Sequence, residues 1–160
     1  MIDATHLKAH RTAASPFKKG PVPRRIGRTK GLNSKLHAVC DGNGRPLVML
    51  LSEGQMSDYK GAALMLPAMP KAKQLLADKG YDADWFRAAL AKRRITPAFL
   101  PKPTAKPRSR MTPSSTNSAI RSKTCSGRLK DWRRIHTRYD RCAHTYSSAI
   151  CIAAAVILWL

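Results

Sequence analysis

Residues 101–126 constrain this chain more than any other stretch, because they cannot join a folded core. The segment holds Pro101, Pro103, Pro107 and Pro113, is otherwise rich in Ser, Thr, Lys and Arg, and has almost no apolar residue. Proline fixes φ and removes a backbone donor, so neither a helix interior nor an inner strand runs through such a segment. Apolar area too small to offset the entropy of ordering predicts disorder here. Folding is left to residues 1–100 and to a tail from Gly127 onward. A chain of 160 residues supports one ordinary core, so we expect a single domain over 1–160.

Within those two parts the periodicity alternates between strand and helix. Residues 1–10 read as a short strand with Ile2, Ala4 and Leu7 apolar and Asp3 and Thr5 on its other face, with no domain expected before it. Residues 11–31, rich in Pro, Gly, Lys and Arg, read as a basic mobile loop. Leu36–Cys40 and Leu47–Leu51 flank Asp41-Gly-Asn-Gly44, the pattern of a β-hairpin. A helix is expected from Asp58 to Met69, capped by Ser57 or Asp58 and closed near Pro70. Gln74–Ala77 reads as a buried strand, Ala83–Arg94 as a helix and Ile95–Leu100 as a last strand. Helical character returns over Gly127–Ile135, and the apolar run Ala149–Leu160 is too short to span a membrane and reads as a buried terminal helix. Strands alternating with helices predict a mixed α/β sheet flanked by helices.

Charge narrows the partners. Lys and Arg number 30 against 9 Asp and Glu, a formal net charge of +21. No acid occurs between Trp85 and Lys130. Such a field draws polyanions, and phosphate neutralisation supplies most sequence-independent affinity for nucleic acid. Charge alone leaves DNA binding and ribosomal-type RNA binding both open. Cys40, Cys125, Cys142 and Cys151 form no CxxC pair or disulfide framework, and the polar amino terminus is no signal peptide, which predicts a cytoplasmic protein with reduced thiols. His6 and His10 lie on a strand that runs into a loop, without a Cys or acid cluster of ligand spacing, which speaks against zinc.

Two aspartates sit where strands meet loops, Asp3 in IDAT and Asp78 in LLADKGYD. Taken singly, each reads as a turn-forming side chain. Taken with their surroundings, they say more. The words IDATHLKAHR, GRTKGLNSKLHAV, GQMSDYKGA, ADKGYDADWFR and GRLKDWRRIHTRYDRC, in this order, resemble the DDE-type transposases of bacterial insertion sequences, over the whole chain except about residues 101–126. The resemblance implies an RNase H-like fold in which two strand-borne aspartates and a helix-borne glutamate hold two divalent ions, Mg²⁺ or Mn²⁺. Asp3 matches the first aspartate and Asp78 the second, with Tyr81 inside the D-x-G-Y word. Hard ions of this kind take carboxylate, water and phosphate oxygens, and a pair of them activates the attacking oxygen and stabilises the leaving one.

The third family motif is Y-x2-R-x3-E-x6-K on one helix. Lys130 matches its lysine, but Lys123 stands where the glutamate belongs, and neither the Tyr nor the Arg precedes it. Asp131 lies eight residues further on, roughly 12 Å of helical rise away, and cannot stand in. Glu53, the only glutamate, belongs to no motif. Permitted codons for Ser115–Ser126, read one base out of register, encode Tyr-Lys-Gln-Arg-Asn-Lys-Ile-Glu-Asn-Met-Phe, which with Gly127–Lys130 completes the motif. A pair of compensating frame changes, near Pro103 or Thr104 and near Ser126, would account for the segment, an expectation that the coding DNA tests.

The reading is therefore a transposase catalytic domain for DNA strand cleavage and transfer at insertion-sequence ends, with Asp3 and Asp78 as catalytic metal ligands and activity impaired by the missing acid. Lys30, Lys35, Arg128, Lys130, Arg133 and Arg134 are the expected phosphate contacts. Expected partners are DNA, with no membrane, and a second copy or an upstream transposase product. Two rivals remain: a non-enzymatic DNA-binding remnant, and an unrelated basic RNA-binding protein.

Overall fold

The computed structural model describes residues 1–15, 23–29, 31–100 and 125–160. Strand β1 is Ile2–Ala9, β2 Asn33–Cys40, β3 Pro46–Glu53, β4 Gln74–Asp78, β5 Thr96–Leu100 and β6 Thr137–Arg138. The helices are α1 (Arg11–Ala14), α2 (Asp58–Met65), α3 (Asp84–Lys92), α4 (125–131), α5 (Arg133–His136) and α6 (Ala143–Leu158). The strands form one six-stranded sheet in the order β3-β2-β1-β4-β5, with β6 paired to β1. The β1–β2 and β2–β3 pairs are antiparallel, and β4 runs parallel to both β1 and β5. The mixed sheet flanked by helices is thus the architecture formed.

The hairpin forms where turn chemistry places it. The Asp41 carboxylate accepts from the backbone N–H groups of Asn43 and Arg45, both at 2.8 Å, and Gly44 takes the left-handed φ of 83° that the turn requires. β2 is buried along its whole length, because helices cover both faces of the sheet. On one face Leu7, Leu36, Ala38, Cys40 and Leu51 pack against Cys125, Leu129, Ile135, Tyr146 and Ile150 from α4, α5 and α6. On the other, Ile2, Val39, Leu75 and Ala77 pack against Ala62 and Met65 of α2 and Phe86 and Leu90 of α3.

Several boundaries differ from the sequence reading. The start of the expected 11–31 loop is a helical turn, Arg11–Ala14, capped by the His10 side chain and burying Ala13. α2 gives way to a 3-10 turn at Leu66–Ala68, because Pro67 cannot donate to a continuing helix. Ser57 holds the N-cap position of α2, yet its hydroxyl makes no capping bond. The expected helix over Gly127–Ile135 breaks at Trp132, where ψ is 116°, and restarts as α5. β6 was not legible in its two residues. α6 begins at Ala143 and is only half buried: Ile152 and Val156 on it, and Trp159 and Leu160 just after it, are exposed. Cys125 and Ser126, assigned by sequence to the disordered segment, are helical, and Cys125 is buried. Residues 101–124, and with them the disorder expectation and the frame-shifted third motif, lie outside the described residues.

Candidate active site

Asp3 and Asp78 come together through sheet register. β1 and β4 are parallel and meet at the pair Ile2–Ala77. The next residue on each strand is an aspartate, so the two lie side by side on neighbouring strands about 4.8 Å apart. Ile2 and Ala77 point into the α2–α3 core, and alternation along a strand turns Asp3 and Asp78 to the opposite face. Both carboxylates are half exposed. One Asp3 oxygen accepts from the Ala4 backbone N–H at 2.8 Å.

Helix α4 approaches the same place. Cys125 is buried against Cys40, and its hydrogen bond with the Cys40 thiol first, then burial and the Asp3 carboxylate, push its thiol up. Lys130, one of the residues matched to the third motif, lies within electrostatic range of His6 on β1. The His6 ring is held below its usual value by burial first and Lys35 next, with Lys130 adding to the effect.

Beneath the sheet lies a polar cluster that the sequence did not single out. The Lys35 ammonium sits 2.5 Å from the Asp58 carboxylate and donates to the Met56 carbonyl at 3.1 Å. The second Asp58 oxygen rests on Gly80, where an added Cβ would stand 3.0 Å from it. The SDY word and the D-x-G-Y word are therefore in contact, which gives the glycine of the latter a steric reason. His37 is fully buried, with Nε2 2.9 Å from the Ser52 hydroxyl. Burial, reinforced by Lys35, lowers the His37 ring to about 4. Tyr81 is 1% exposed, and its hydroxyl finds no hydrogen-bond partner. Burial first, then Asp58, Asp3 and Asp78, pushes that hydroxyl far up.

The expected phosphate contacts divide. Arg128 and Arg133 are exposed on α4 and α5, and Lys130 is half exposed. Arg134 is also exposed, but its guanidinium is 2.9 Å from Asp140. Lys35 is buried, with its ammonium committed to Asp58. Lys30 lies outside the described residues. Another residue with a framework part, Arg138, was also missed. Fully buried, it donates to the Ser34 hydroxyl and the Asp140 carbonyl, both at 2.8 Å, and lies over the Tyr146 ring. A cavity of about 360 Å³ opens between β2 and the start of β4, lined by Met1, Val39, Met69 and Leu75, and contains neither aspartate.

The chain matches the family described as Transposase DDE domain over residues 1–156. It belongs to that family. Two relatives extend the match. One, "Putative transposase for insertion sequence element IS402" of Burkholderia cepacia, is 27% identical over 153 residues, covering 89% of this chain and 69% of the relative. The other, "Putative transposase for insertion sequence element IS6501" of Brucella ovis, is 28% identical over 130 residues, covering 81% of this chain and 99% of the relative. No solved structure matches.

For a DDE-family chain the donor chemistry is apt. Two carboxylates on adjacent strands are hard oxygen ligands, and they suit one Mg²⁺ or Mn²⁺ completed by water and phosphate oxygens. Among the described residues, no three His, Cys, Asp or Glu side chains form a group that could hold a metal ion. No helix among them is long and apolar enough to cross a membrane.

Proposed function

We infer that this chain is the catalytic domain of an insertion-sequence transposase, RNase H-like in fold, cytoplasmic and acting on DNA at the element's ends. The observation that carries the reading is the Ile2–Ala77 register, which sets Asp3 beside Asp78 at the centre of the sheet. Asp3 and Asp78 are the metal ligands, and a bound divalent ion would supply charge stabilisation for phosphoryl transfer. The protein's own part is to hold two carboxylates on rigid strands, so that their oxygens need little reorganisation. Arg128, Lys130 and Arg133, on the helices that cover this face, track phosphates, joined by Lys30 and, through its exposed nitrogen atoms, Arg134.

The chain as written is inactive in strand transfer. Lys123 replaces the third acid, and a protonated amine neither binds a cation nor tolerates one nearby. The reading is tested by Mn²⁺ titration of the purified chain beside Asp3→Asn and Asp78→Asn, with circular dichroism to check the fold. We expect weak binding by the parent and none by either variant. Equal binding by all three would reject the assignment.

A non-enzymatic DNA-binding remnant of such a domain shares the basic surface but does not require the metal. Mn²⁺ binding separates the two.

A further inference from the structure

Two of the four cysteines meet inside the fold. Cys40 ends β2 and Cys125 opens α4, and both are buried in the same core layer, between the sheet and α4, α5 and α6. Their thiols are hydrogen-bonded to each other. No spacing in the sequence pairs them, because the contact joins segments far apart in the chain. Cys142 and Cys151 are placed differently. The first is half-buried just before α6 and the second is exposed on it, roughly 13 Å further along the helix. A disulfide needs Cα atoms within about 7 Å of each other, so those two cannot bridge.

A hydrogen-bonded thiol pair is either core filling or a dithiol one step from a bridge, and what decides is whether one sulfur can reach an oxidant. The two elements differ in this. β2 is buried along its length, and Cys40 is bonded to Met1 through both its backbone N–H and its carbonyl. α4 covers only residues 125–131 and buries only Cys125 and Leu129. The first N–H groups of a helix have no intrahelical acceptor, and a turn with so little buried area opens far more readily than an inner strand. While the turn is closed, the Cys40 thiol and burial keep Cys125 protonated and unreactive. Opening removes both influences.

We propose that Cys40 and Cys125 form a reversible redox lock, oxidised by a small disulfide of the glutathione class to a bridge that ties α4 to β2. Cys125 reacts first, as its turn opens: its thiolate attacks one sulfur of the small disulfide, forming a mixed disulfide and expelling one thiolate. When the turn recloses, the Cys40 sulfur attacks that of Cys125, forming the bridge and expelling the second thiolate. Two S–H bonds are lost and one S–S bond forms, and the small disulfide takes up two electrons and two protons as two thiols. The bridge fixes α4, with Arg128 and Lys130 on it, to the sheet face that holds Asp3. It needs no metal at the aspartates, so it is independent of their assignment.

The whole chain, incubated with oxidised glutathione, digested without reduction and mapped by mass spectrometry, gives the test. A peptide linking Cys40 to Cys125 is expected, with Cys151 carrying glutathione instead of a bridge. The oxidised chain should melt above the reduced one, and dithiothreitol should reverse both changes. Cys40→Ser should trap glutathione on Cys125, whereas Cys125→Ser should leave Cys40 unmodified, with circular dichroism checking the fold of each. Cys40 and Cys125 both unmodified in the parent, while Cys151 carries glutathione, would make them core filling and overturn the proposal. A bridge that lowers the melting temperature overturns the lock, and glutathione on Cys40 in Cys125→Ser overturns the opening of α4 as its gate.

Discussion

Lys35 and Lys130 carry the same charge and do different work, and single substitutions separate them. Lys35 is buried with its ammonium against Asp58, so its removal strands a half-buried carboxylate. Breaking such a pair costs on the order of 2–3 kcal/mol. Lys35→Ala should lower the urea midpoint accordingly and leave the salt dependence of DNA binding unchanged. Lys130→Ala should do the reverse, keeping stability and reducing the log–log salt slope by about 1. Arg138 belongs with Lys35. Its guanidinium is fully buried, bonded to Ser34 and the Asp140 carbonyl and stacked on Tyr146, and burial lowers its pKa. Arg138→Ala leaves those acceptors dry and should cost about 3–5 kcal/mol, with Arg138→Lys recovering only part. In the word RYDRC the sequence offered only another basic residue on a basic chain. Burial of a cation depends on what the fold wraps around it, and nothing in the local pattern encoded that.

Strand β2 and helix α2 are the elements where packing overrides local preference. Gly61 lies inside α2, where alanine would normally gain about 1 kcal/mol of helix propensity. Here a Cβ would stand 2.4 Å from the His37 ring, so Gly61→Ala should destabilise by roughly 1–3 kcal/mol, measured by thermal or urea unfolding. His37 itself makes β2 sensitive to acid. Its folded pKa is lowered to about 4 by burial and by Lys35, while the unfolded ring titrates near its ordinary 6.5. Between those values the unfolded state binds more protons, so this contribution is complete above about pH 6.5 and is lost as pH falls toward 4. It is on the order of 3 kcal/mol, and His37→Gln should flatten that part of the stability profile relative to the parent. The hairpin, the two aspartate-bearing strands and α3 were legible because turn residues and apolar periodicity are local signals. β6 was not, since two residues hold no period. Nor was the break at Trp132, because the residues around it favour a continuous helix and the change of direction comes from α5 packing Ile135 into the core. Asp3 and Asp78 were singled out from their sequence words, and the β1–β4 register sets them on adjacent strands. The Lys35–Asp58–Gly80 contact was not legible, because it joins three segments only through the fold.

Across the whole molecule, a net charge of +21 should make DNA affinity fall steeply between low and physiological salt, as released counterions demand. A near-zero slope would remove the polyanion reading. The same surface serves an RNA binder equally well, so charge cannot carry the catalytic claim. The claim stands on a sheet whose register pairs Asp3 with Asp78, on α4 reaching that face through Cys125, and on family membership over residues 1–156. By the family resemblance Lys123 stands where the third acid belongs, and the proposed inactivity rests on that substitution. Losing one ligand from a phosphoryl-transfer site costs several kcal/mol of barrier, or many powers of ten in rate. Replacing residues 116–126 with YKQRNKIENMF returns an acid to that position, and should strengthen Mn²⁺ binding. The most direct measurement is nicking of supercoiled plasmid carrying insertion-sequence ends, with Mg²⁺ or Mn²⁺, by the unmodified chain and by Asp3→Ala. No metal-dependent nicking above the Asp3→Ala control is the predicted result; robust nicking by the unmodified chain that Asp3→Ala abolishes would contradict it.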